Sequence, residues 1–217
     1  MIYRWSTEDR LPKWPSEWLD QGKPQSLINL QRHKAFKNEL PRVIRPDILL
    51  TEEGLKITEL DSVPGGIGLT AWLNRSYYDA GSNVIGGSTG MIDGFSGIFG
   101  NAEKIRMVVS EESATYRPEM EWIAGQIAGD RFSVHNQNYI NFNEGDAVYR
   151  FFELFDLENI PAAKTIFQRA IEQKLKITAP PKTFLEEKMT FGLFHNRNLS
   201  DVWRQQLGDN FKNTFWA

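Results

Sequence analysis

The sequence predicts an α/β protein: a mostly parallel sheet flanked by helices, preceded by an extended N-terminal arm. From residue 105 onward, short apolar runs alternate with longer segments at helical spacing, and such alternation is typical of βαβ units. The composition, with 41% hydrophobic and 24% charged residues, is that of an ordinary globular protein. At 217 residues the chain is long enough for one or two domains, each with a real core.

Composition and charge exclude several classes of function. A net charge of −3 gives no electrostatic footprint for nucleic acid. No apolar run is long enough to cross a membrane, and the first ten residues lack the apolar core of a signal peptide. With no cysteine and only three histidines, disulfides, thiolate nucleophiles and zinc sites are not expected. We therefore expect a cytoplasmic protein without nucleic-acid or membrane partners.

The first 42 residues are predicted to form the arm and one helix. Proline and tryptophan are frequent up to residue 24, which favours an irregular segment docked by its aromatic side chains. Residues 25–39 have helical spacing, and Pro41 should end that helix. The predicted domains are thus 1–42, the N-terminal arm and helix, and 43–217, the α/β domain with C-terminal helices.

A hairpin and a glycine-rich region follow. Two apolar runs, 48–50 and 55–60, are joined by a short turn that contains Gly54. Residues 65–100 contain 10 of the 17 glycines, which predicts a long loop region with one helix through residues 69–73.

The remaining chain supplies the sheet. We expect residues 105–178 to form one continuous sheet and residues 183–208 to be helical. The terminal aromatic segment, 211–217, is expected either to dock on the domain or to continue into a longer polypeptide. The predicted strands are 105–109, 132–135, 147–152 and 175–178, and the predicted helices are 118–128 and 161–174.

Four charged residues at the hairpin form the best candidate site. Glu59 and Asp61 are two residues apart on one strand and point to the same side. The hairpin should bring Asp47 beside them, giving three oxygen donors of the kind that magnesium prefers. Arg45 adds a planar guanidinium suited to phosphate. The alternative is a solvated hairpin face with one ion pair.

Other candidate residues have ordinary explanations. Gly66 to Ala71 matches G-x-G-x-x-A, a weak dinucleotide-binding signal, and the carboxylates just upstream would repel a pyrophosphate. Arg150, on an apolar strand, is expected to be a buried ion-pair partner, with Glu153 the natural candidate, rather than catalytic. His135 and His195 are expected to be structural or surface residues.

One family has the hairpin pattern. Arg45-Pro46-Asp47, a strand–turn–strand and Glu59-Leu60-Asp61 before a Pro/Gly-rich turn resemble the glutathionylspermidine synthase family of ATP-grasp C–N ligases. More weakly, residues 146–153 resemble a family strand ending in Tyr-Arg, and residues 179–188 resemble a Pro-containing loop followed by a Lys-bearing helix. The resemblance covers residues 43–195.

The resemblance implies specific roles. Arg45 would bind the transferred phosphoryl or acyl-phosphate group, Asp47, Glu59 and Asp61 would coordinate Mg²⁺, and Lys188 would lie on the ATP side. Asp61 stands where the family usually has Asn, which adds a negative charge. The fold would be the Rossmann-like pre-ATP-grasp domain.

The resemblance also implies what surrounds this domain. The substrates would be a small carboxylate and an amine, with ATP and magnesium as cofactors. The ATP-grasp lobes would follow in a longer chain, so the isolated chain is expected to be inactive. The alternative from another class is a non-catalytic Rossmann-like binding or interaction domain.

Overall fold

The computed structural model describes residues 1–127 and 129–208. Its contacts divide the chain into two compact units. Unit 1 contains residues 1–37, 44–62 and the chain from Pro181, and unit 2 contains residues 38–43 and 63–180. A domain boundary after residue 42 stays a prediction.

The elements run in the following order. The α-helices are α1 (Ile2–Thr7), α2 (Trp14–Asp20), α3 (Gln25–Gln31), α4 (Ile67–Asp79), α5 (Gly90–Gly97), α6 (Arg117–Gln126), α7 (Pro161–Ile171), α8 (Met189–His195) and α9 (Ser200–Leu207). The strands are β1 (Arg45–Thr51), β2 (Gly54–Asp61), β3 (Ile105–Val109), β4 (Phe132–Asn136), β5 (Ala147–Phe151) and β6 (Lys176–Thr178). Short 3-10 helices cover Lys34–Phe36, Ala114–Tyr116, Leu154–Asn159, Thr183–Leu185 and Arg197–Leu199.

The N-terminal segment is helical, so the prediction of an extended, irregular arm is wrong. Pro15 lies in the first turn of α2, and Pro24 immediately precedes α3. Proline is tolerated at these positions because the first amides of a helix have no partner within the helix. A small core packs α1 and α2 against the C-terminal elements, and its buried members are Ile2, Tyr3, Leu19, Leu193 and Leu199.

The helix predicted over residues 25–39 is shorter than expected. α3 ends at Gln31, well before Pro41, and a 3-10 turn follows at Lys34–Phe36. The Nδ1 atom of His33 accepts a hydrogen bond from the Ala35 amide, 3.2 Å away. This cap satisfies a backbone donor outside the α-helix and so favours the separate turn.

The predicted hairpin is confirmed. β1 pairs antiparallel with β2 from Arg45 opposite Asp61 to Thr51 opposite Gly54. Gly54 has a φ of 110°, a backbone angle that residues other than glycine rarely adopt. The strands extend beyond the predicted apolar runs to include the charged residues at the open end.

The predicted continuous sheet over residues 105–178 is also confirmed. It has four strands, all parallel, in the order β4-β3-β5-β6. The internal strands β3 and β5 are almost entirely buried, which explains why their sequences are apolar apart from one arginine each, Arg106 and Arg150. Helices α6 and α7 have the predicted type but end at Gln126 and Ile171, and residue 128 lies outside the described residues.

The glycine-rich region contains two helices rather than the predicted loop with one. Both helices bury apolar side chains in the unit 2 core: Ile67 and Ala71 from α4, and Ile92 and Phe95 from α5. Tertiary burial of this kind overrides the cost of about 1 kcal/mol for each glycine inside a helix.

The region predicted as helical over residues 183–208 is broken into short pieces. Asn196, between α8 and the following 3-10 turn, has extended backbone angles, and its side chain accepts a hydrogen bond from the Asn198 amide. The terminal segment 211–217 lies outside the described residues. Across residues 1–127 and 129–208, no helix has both the length and the apolar character that a membrane span requires.

Candidate functional site

The hairpin register brings the four predicted residues to one face. Arg45 is directly opposite Asp61, and Asp47 is directly opposite Glu59. Directly opposite residues in an antiparallel pair project to the same side, as do residues two apart on one strand. The four side chains therefore form one patch at the open end of the hairpin.

A bulge bounds this patch. The register shifts after Asp47, so that Ile48 pairs with Ile57 and Thr58 has no counterpart on β1. The Thr58 hydroxyl donates to the Asp47 carbonyl at 3.2 Å. Bulges re-aim the side chains beside them and are frequent near functional sites.

Arg45 lies between two of the carboxylates. Its Nε is 2.8 Å from Asp47 Oδ1, and its Nη2 is 3.3 Å from Asp61 Oδ2. The hydrogen bond to Asp47, together with the charges of Asp61 and Glu59, raises the pKa of the Arg45 guanidinium above its ordinary value. The guanidinium is thus fixed in its charged form beside the carboxylates.

Lys188 completes the group from a distant part of the chain. It immediately precedes α8, and its Nζ is 3.2 Å from Glu59 Oε2. The set of Arg45, Asp47, Glu59, Asp61 and Lys188 is called the hairpin cluster below. Its two cations and three anions leave one uncompensated negative charge.

The hairpin cluster contributes little to stability. Its ion pairs join side chains that retain 23–67% of their solvent exposure. Exposed pairs of this kind are worth about 0–1 kcal/mol each, because water and salt screen them. Opposed carboxylates such as Asp47 and Glu59 are instead unfavourable cross-strand neighbours.

The donor set suits magnesium only with help from a ligand. Within the described ranges 1–127 and 129–208, no group of three or more acidic or histidine residues is arranged to hold a metal ion by itself. Mg²⁺ is ordinarily bound by one or two carboxylates together with phosphate oxygens and water. A metal that arrives with a phosphate would need only one or two of Asp47, Glu59 and Asp61, and the Arg45 guanidinium is suited to that phosphate.

The N-terminus of α4, where a dinucleotide would bind, is already occupied by another part of the chain. Gly66 precedes α4, but its amide donates to Glu119 Oε1 at 2.6 Å, and the Leu69 amide donates to Glu119 Oε2 at 2.9 Å. A carboxylate of this chain thus occupies the helix N-terminus that a pyrophosphate would need. The preceding strand, β2, also belongs to the hairpin rather than to the parallel sheet.

Arg150 is a structural residue. Its side chain is fully buried and donates to the carbonyls of Phe152, Ala179 and Pro180 at 2.6, 2.9 and 3.4 Å. It ties the end of β5 to the segment that follows β6. These contacts give Arg150 a buried structural position, and the expected ion pair with Glu153 stays a prediction.

His135 is part of the fold at the end of β4. Its ring stacks on Tyr139, with the centroids 3.6 Å apart, and its Nε2 is 2.8 Å from the Ser133 hydroxyl. Burial lowers its pKa below the ordinary value of 6.5, and the charges of Arg106 and Arg117 lower it further. Protonation is consequently less favourable in the folded than in the unfolded chain.

This pKa shift predicts a pH dependence of stability. The contribution of neutral His135 is present above pH 6.5, the unfolded value, and is lost as the pH falls below it towards the folded pKa. We expect His135→Asn to lower the dependence of the unfolding free energy on pH in this acidic range. Urea unfolding at a series of pH values measures how the unfolding free energy changes with pH. The prediction is contradicted if this change is the same in the variant as in the wild type.

Two features were not anticipated from the sequence. One is the Glu119 cap on α4, for which a single glutamate carries no distinguishing signal. The other is a basic cleft in unit 1, for which the run Arg32, Lys34 and Lys37 was an available signal. The remaining lining residues of the cleft are Tyr3, Arg4, Thr7, Glu8, Gln31, Lys182 and Phe184.

Comparison with known proteins identifies no relative: no protein-family model, no curated protein and no solved structure matches this chain.

Proposed function

We propose that this chain carries the phosphate-binding and magnesium-binding part of an ATP-dependent carboxylate–amine ligase of the pre-ATP-grasp kind, with the site in unit 1 and the Rossmann-like parallel sheet in unit 2. The observation that carries the proposal is the register of the hairpin, which sets Arg45 opposite Asp61 and Asp47 opposite Glu59. The contact of Lys188 with Glu59 supports it. The sequence pattern and the family resemblance single out the same five residues.

The proposed reaction has two steps. A carboxylate oxygen of the acid substrate bonds to the γ-phosphorus of ATP, and the bond from that phosphorus to ADP breaks. The amine nitrogen then bonds to the acyl carbon, inorganic phosphate leaves, and the amine loses a proton. The nucleotide lobes are assigned to sequence outside this domain, and the absence of cysteine is compatible with a cytoplasmic setting.

Each residue of the hairpin cluster has a role in this scheme. Arg45 would bind the phosphoryl group, because its planar guanidinium can form two parallel hydrogen bonds to phosphate oxygens. Asp47, Glu59 and Asp61 would hold magnesium, which, when bound, neutralises charge on the transferring group. Lys188 would orient Glu59 and face the nucleotide.

Asp61 departs from the asparagine usual in the resembling family. The extra negative charge lies 3.3 Å from Arg45 and is compensated there. We infer that Arg45 exchanges Asp61 for phosphate when the ligand binds. The freed carboxylate then becomes available to the metal.

The test measures binding of manganese pyrophosphate, a paramagnetic substitute for a magnesium-bound phosphate group. The relaxation rate of water protons reports the binding. We expect the wild-type chain to enhance relaxation with Mn²⁺ and pyrophosphate together much more than with Mn²⁺ alone. Glu59→Gln and Arg45→Gln should each weaken binding by about tenfold or more, the loss usual for residues that support a metal site.

Matched controls exist in the same unit. Glu53→Gln removes a carboxylate at the hairpin turn, where it pairs with Lys56 at 3.4 Å, and Arg204→Gln removes an exposed arginine that pairs with Asp201. Both should bind as the wild type does. The proposal fails if the wild type gives no enhancement, or if the controls lose as much as Glu59→Gln and Arg45→Gln.

A second candidate function uses the other residues of the hairpin. A set of its apolar side chains is exposed, Leu50 by 85% and Leu55 by 64%, and these two are directly opposite each other. Paired exposed leucines favour a non-catalytic interaction domain that docks through the hairpin. Concentration-dependent self-association that is abolished by Leu50→Lys, without relaxation enhancement in the wild type, would favour this function.

A further inference from the structure

We propose that the basic cleft of unit 1 binds a small polyanion carrying phosphate groups. The cleft has a volume of about 390 Å³ and is formed by residues from the N-terminal helices and from the segment that begins at Pro181. It shares no residue with the hairpin cluster and needs no metal. It therefore goes beyond the proposed ligase site.

The charge of the lining is the first reason. Five lining residues are cations and only Glu8 is an anion, in a chain whose net charge is −3. A concave surface lined by one sign of charge concentrates the field and attracts counter-ions. The cations are Arg4, Arg32, Lys34, Lys37 and Lys182.

Lys182 shows that the cleft is built around positive charge. It is 7% exposed, and its Nζ donates to the Lys37 carbonyl at 3.4 Å. The side chain therefore places a positive charge in the lining of the cleft, where it attracts anions.

Arg32 is held in place for binding. Its Nε donates to the Tyr3 hydroxyl at 3.0 Å, and its Nη2 pairs with Asp20. Tyr3 and Gln31 donate to the same Asp20 oxygen at 2.9 and 2.6 Å. This buried network fixes one edge of the guanidinium, so less freedom is lost when a ligand binds.

The Tyr3 hydroxyl keeps its proton in this network. Burial raises the pKa of Tyr3 to about 12, with Asp20 adding to the effect and Arg32 opposing it. Tyr3 therefore donates to Asp20 throughout the neutral range. Its ring also stacks on the ring of Phe184, with the centroids 4.5 Å apart, and this pair forms one side of the cleft.

Glu8 shows that these cations can hold an oxyanion. Its Oε1 lies 2.6 Å from Lys37 Nζ and 3.1 Å from Arg4 Nε. The five cations thus have two carboxylates, Glu8 and the Asp20 that pairs with Arg32, and Lys34 makes no ion pair in the part of the chain that the structure describes. The surplus favours a ligand with two or more negative charges, and arginine with several lysines favours phosphate.

The test is calorimetric titration of the whole chain with pyrophosphate in the presence of EDTA, which removes metal-dependent binding. We expect saturable binding that weakens as salt is added, because the charges are partly exposed. Lys34→Gln/Lys37→Gln should raise Kd by about tenfold, the effect of roughly 1.4 kcal/mol. Glu8→Gln should lower Kd, because it removes the competing carboxylate.

Controls separate this site from general charge and from the hairpin. Lys13→Gln/Lys174→Gln removes the same charge from two exposed lysines that pair with Asp9 and Glu172. That double variant should keep the wild-type Kd, and Arg45→Gln tests whether any of the binding belongs to the hairpin cluster. Glycerol 3-phosphate as a second probe distinguishes an organic phosphomonoester from inorganic pyrophosphate, and tighter binding of either supports the site.

Three results would overturn the proposal. The first is that the wild type shows no saturable binding of pyrophosphate. The second is that the Lys13→Gln/Lys174→Gln control loses as much affinity as Lys34→Gln/Lys37→Gln. The third is that only Arg45→Gln loses affinity. The last would assign the anion to the hairpin cluster. Conversely, failure of manganese pyrophosphate binding there, with pyrophosphate binding retained in EDTA, would reject the ligase site alone.

Discussion

Gly68→Ala is expected to lower the free energy of unfolding by about 3 kcal/mol, the upper part of the range for overpacked sites. A methyl group at Gly68 would lie 2.1 Å from the Glu119 carbonyl oxygen and 2.9 Å from its Cβ. The first of these atoms is backbone in α6, so no side-chain rotation relieves the clash. To relieve the clash, α4 must move away from α6, and this movement stretches the hydrogen bonds that the Gly66 and Leu69 amides donate to Glu119.

The control for this prediction is Gly94→Ala. Gly94 lies in α5 of the same unit, and an added Cβ would meet nothing within 4 Å. Alanine should stabilise an exposed helical position by about 0.5–1 kcal/mol through helix propensity. Urea unfolding followed by far-UV circular dichroism measures both variants. Equal effects of the two substitutions would show that the approach of α4 to α6 is not tight.

The parallel sheet could be predicted from the sequence because its signal is local. Buried strands such as β3 and β5 appear as short, mostly apolar runs with one arginine each, and Pro161 marks the first turn of α7. The N-terminal helices could not be predicted in the same way. α1, α2 and α3 have only six or seven residues each, too short for a clear period, and their stability comes from tertiary packing.

The hairpin cluster was predicted in part. Strand alternation and hairpin pairing placed Arg45, Asp47, Glu59 and Asp61 together, and those rules depend only on spacing. The partners of each carboxylate were not predictable, because the contact between Lys188 and Glu59 joins residues far apart in the chain. The mutual repulsion of the carboxylates is offset by their ion pairs with Arg45 and Lys188.

The G-x-G-x-x-A string failed for a different reason. Its glycines suit a helix N-terminus that binds an oxyanion, and that part of the pattern holds. The anion is the Glu119 carboxylate, which is supplied by the chain itself. Gly68 serves close packing against α6, a use of glycine that the motif alone cannot distinguish from phosphate binding.

Arg150→Met is expected to cost about 4 kcal/mol of unfolding free energy, because it removes the donors of several buried carbonyls. Replacing a buried charge by an apolar side chain of similar size is often harmless when its partner is replaced too. Here the acceptors are backbone carbonyls of Phe152, Ala179 and Pro180, which stay in place. Each buried acceptor left unpaired costs roughly 1–3 kcal/mol.

Two further variants make the Arg150 prediction specific. Arg150→Lys keeps a charge but cannot reach three acceptors with one ammonium group, so an intermediate loss of about 2 kcal/mol is expected. Arg204→Met, at a side chain 51% exposed, should change stability by less than about 0.5 kcal/mol. Urea unfolding of all three provides the comparison. If Arg150→Met matched Arg204→Met, the tie between β5 and the segment after β6 would not depend on the guanidinium, since a methionine supplies the same volume without a donor.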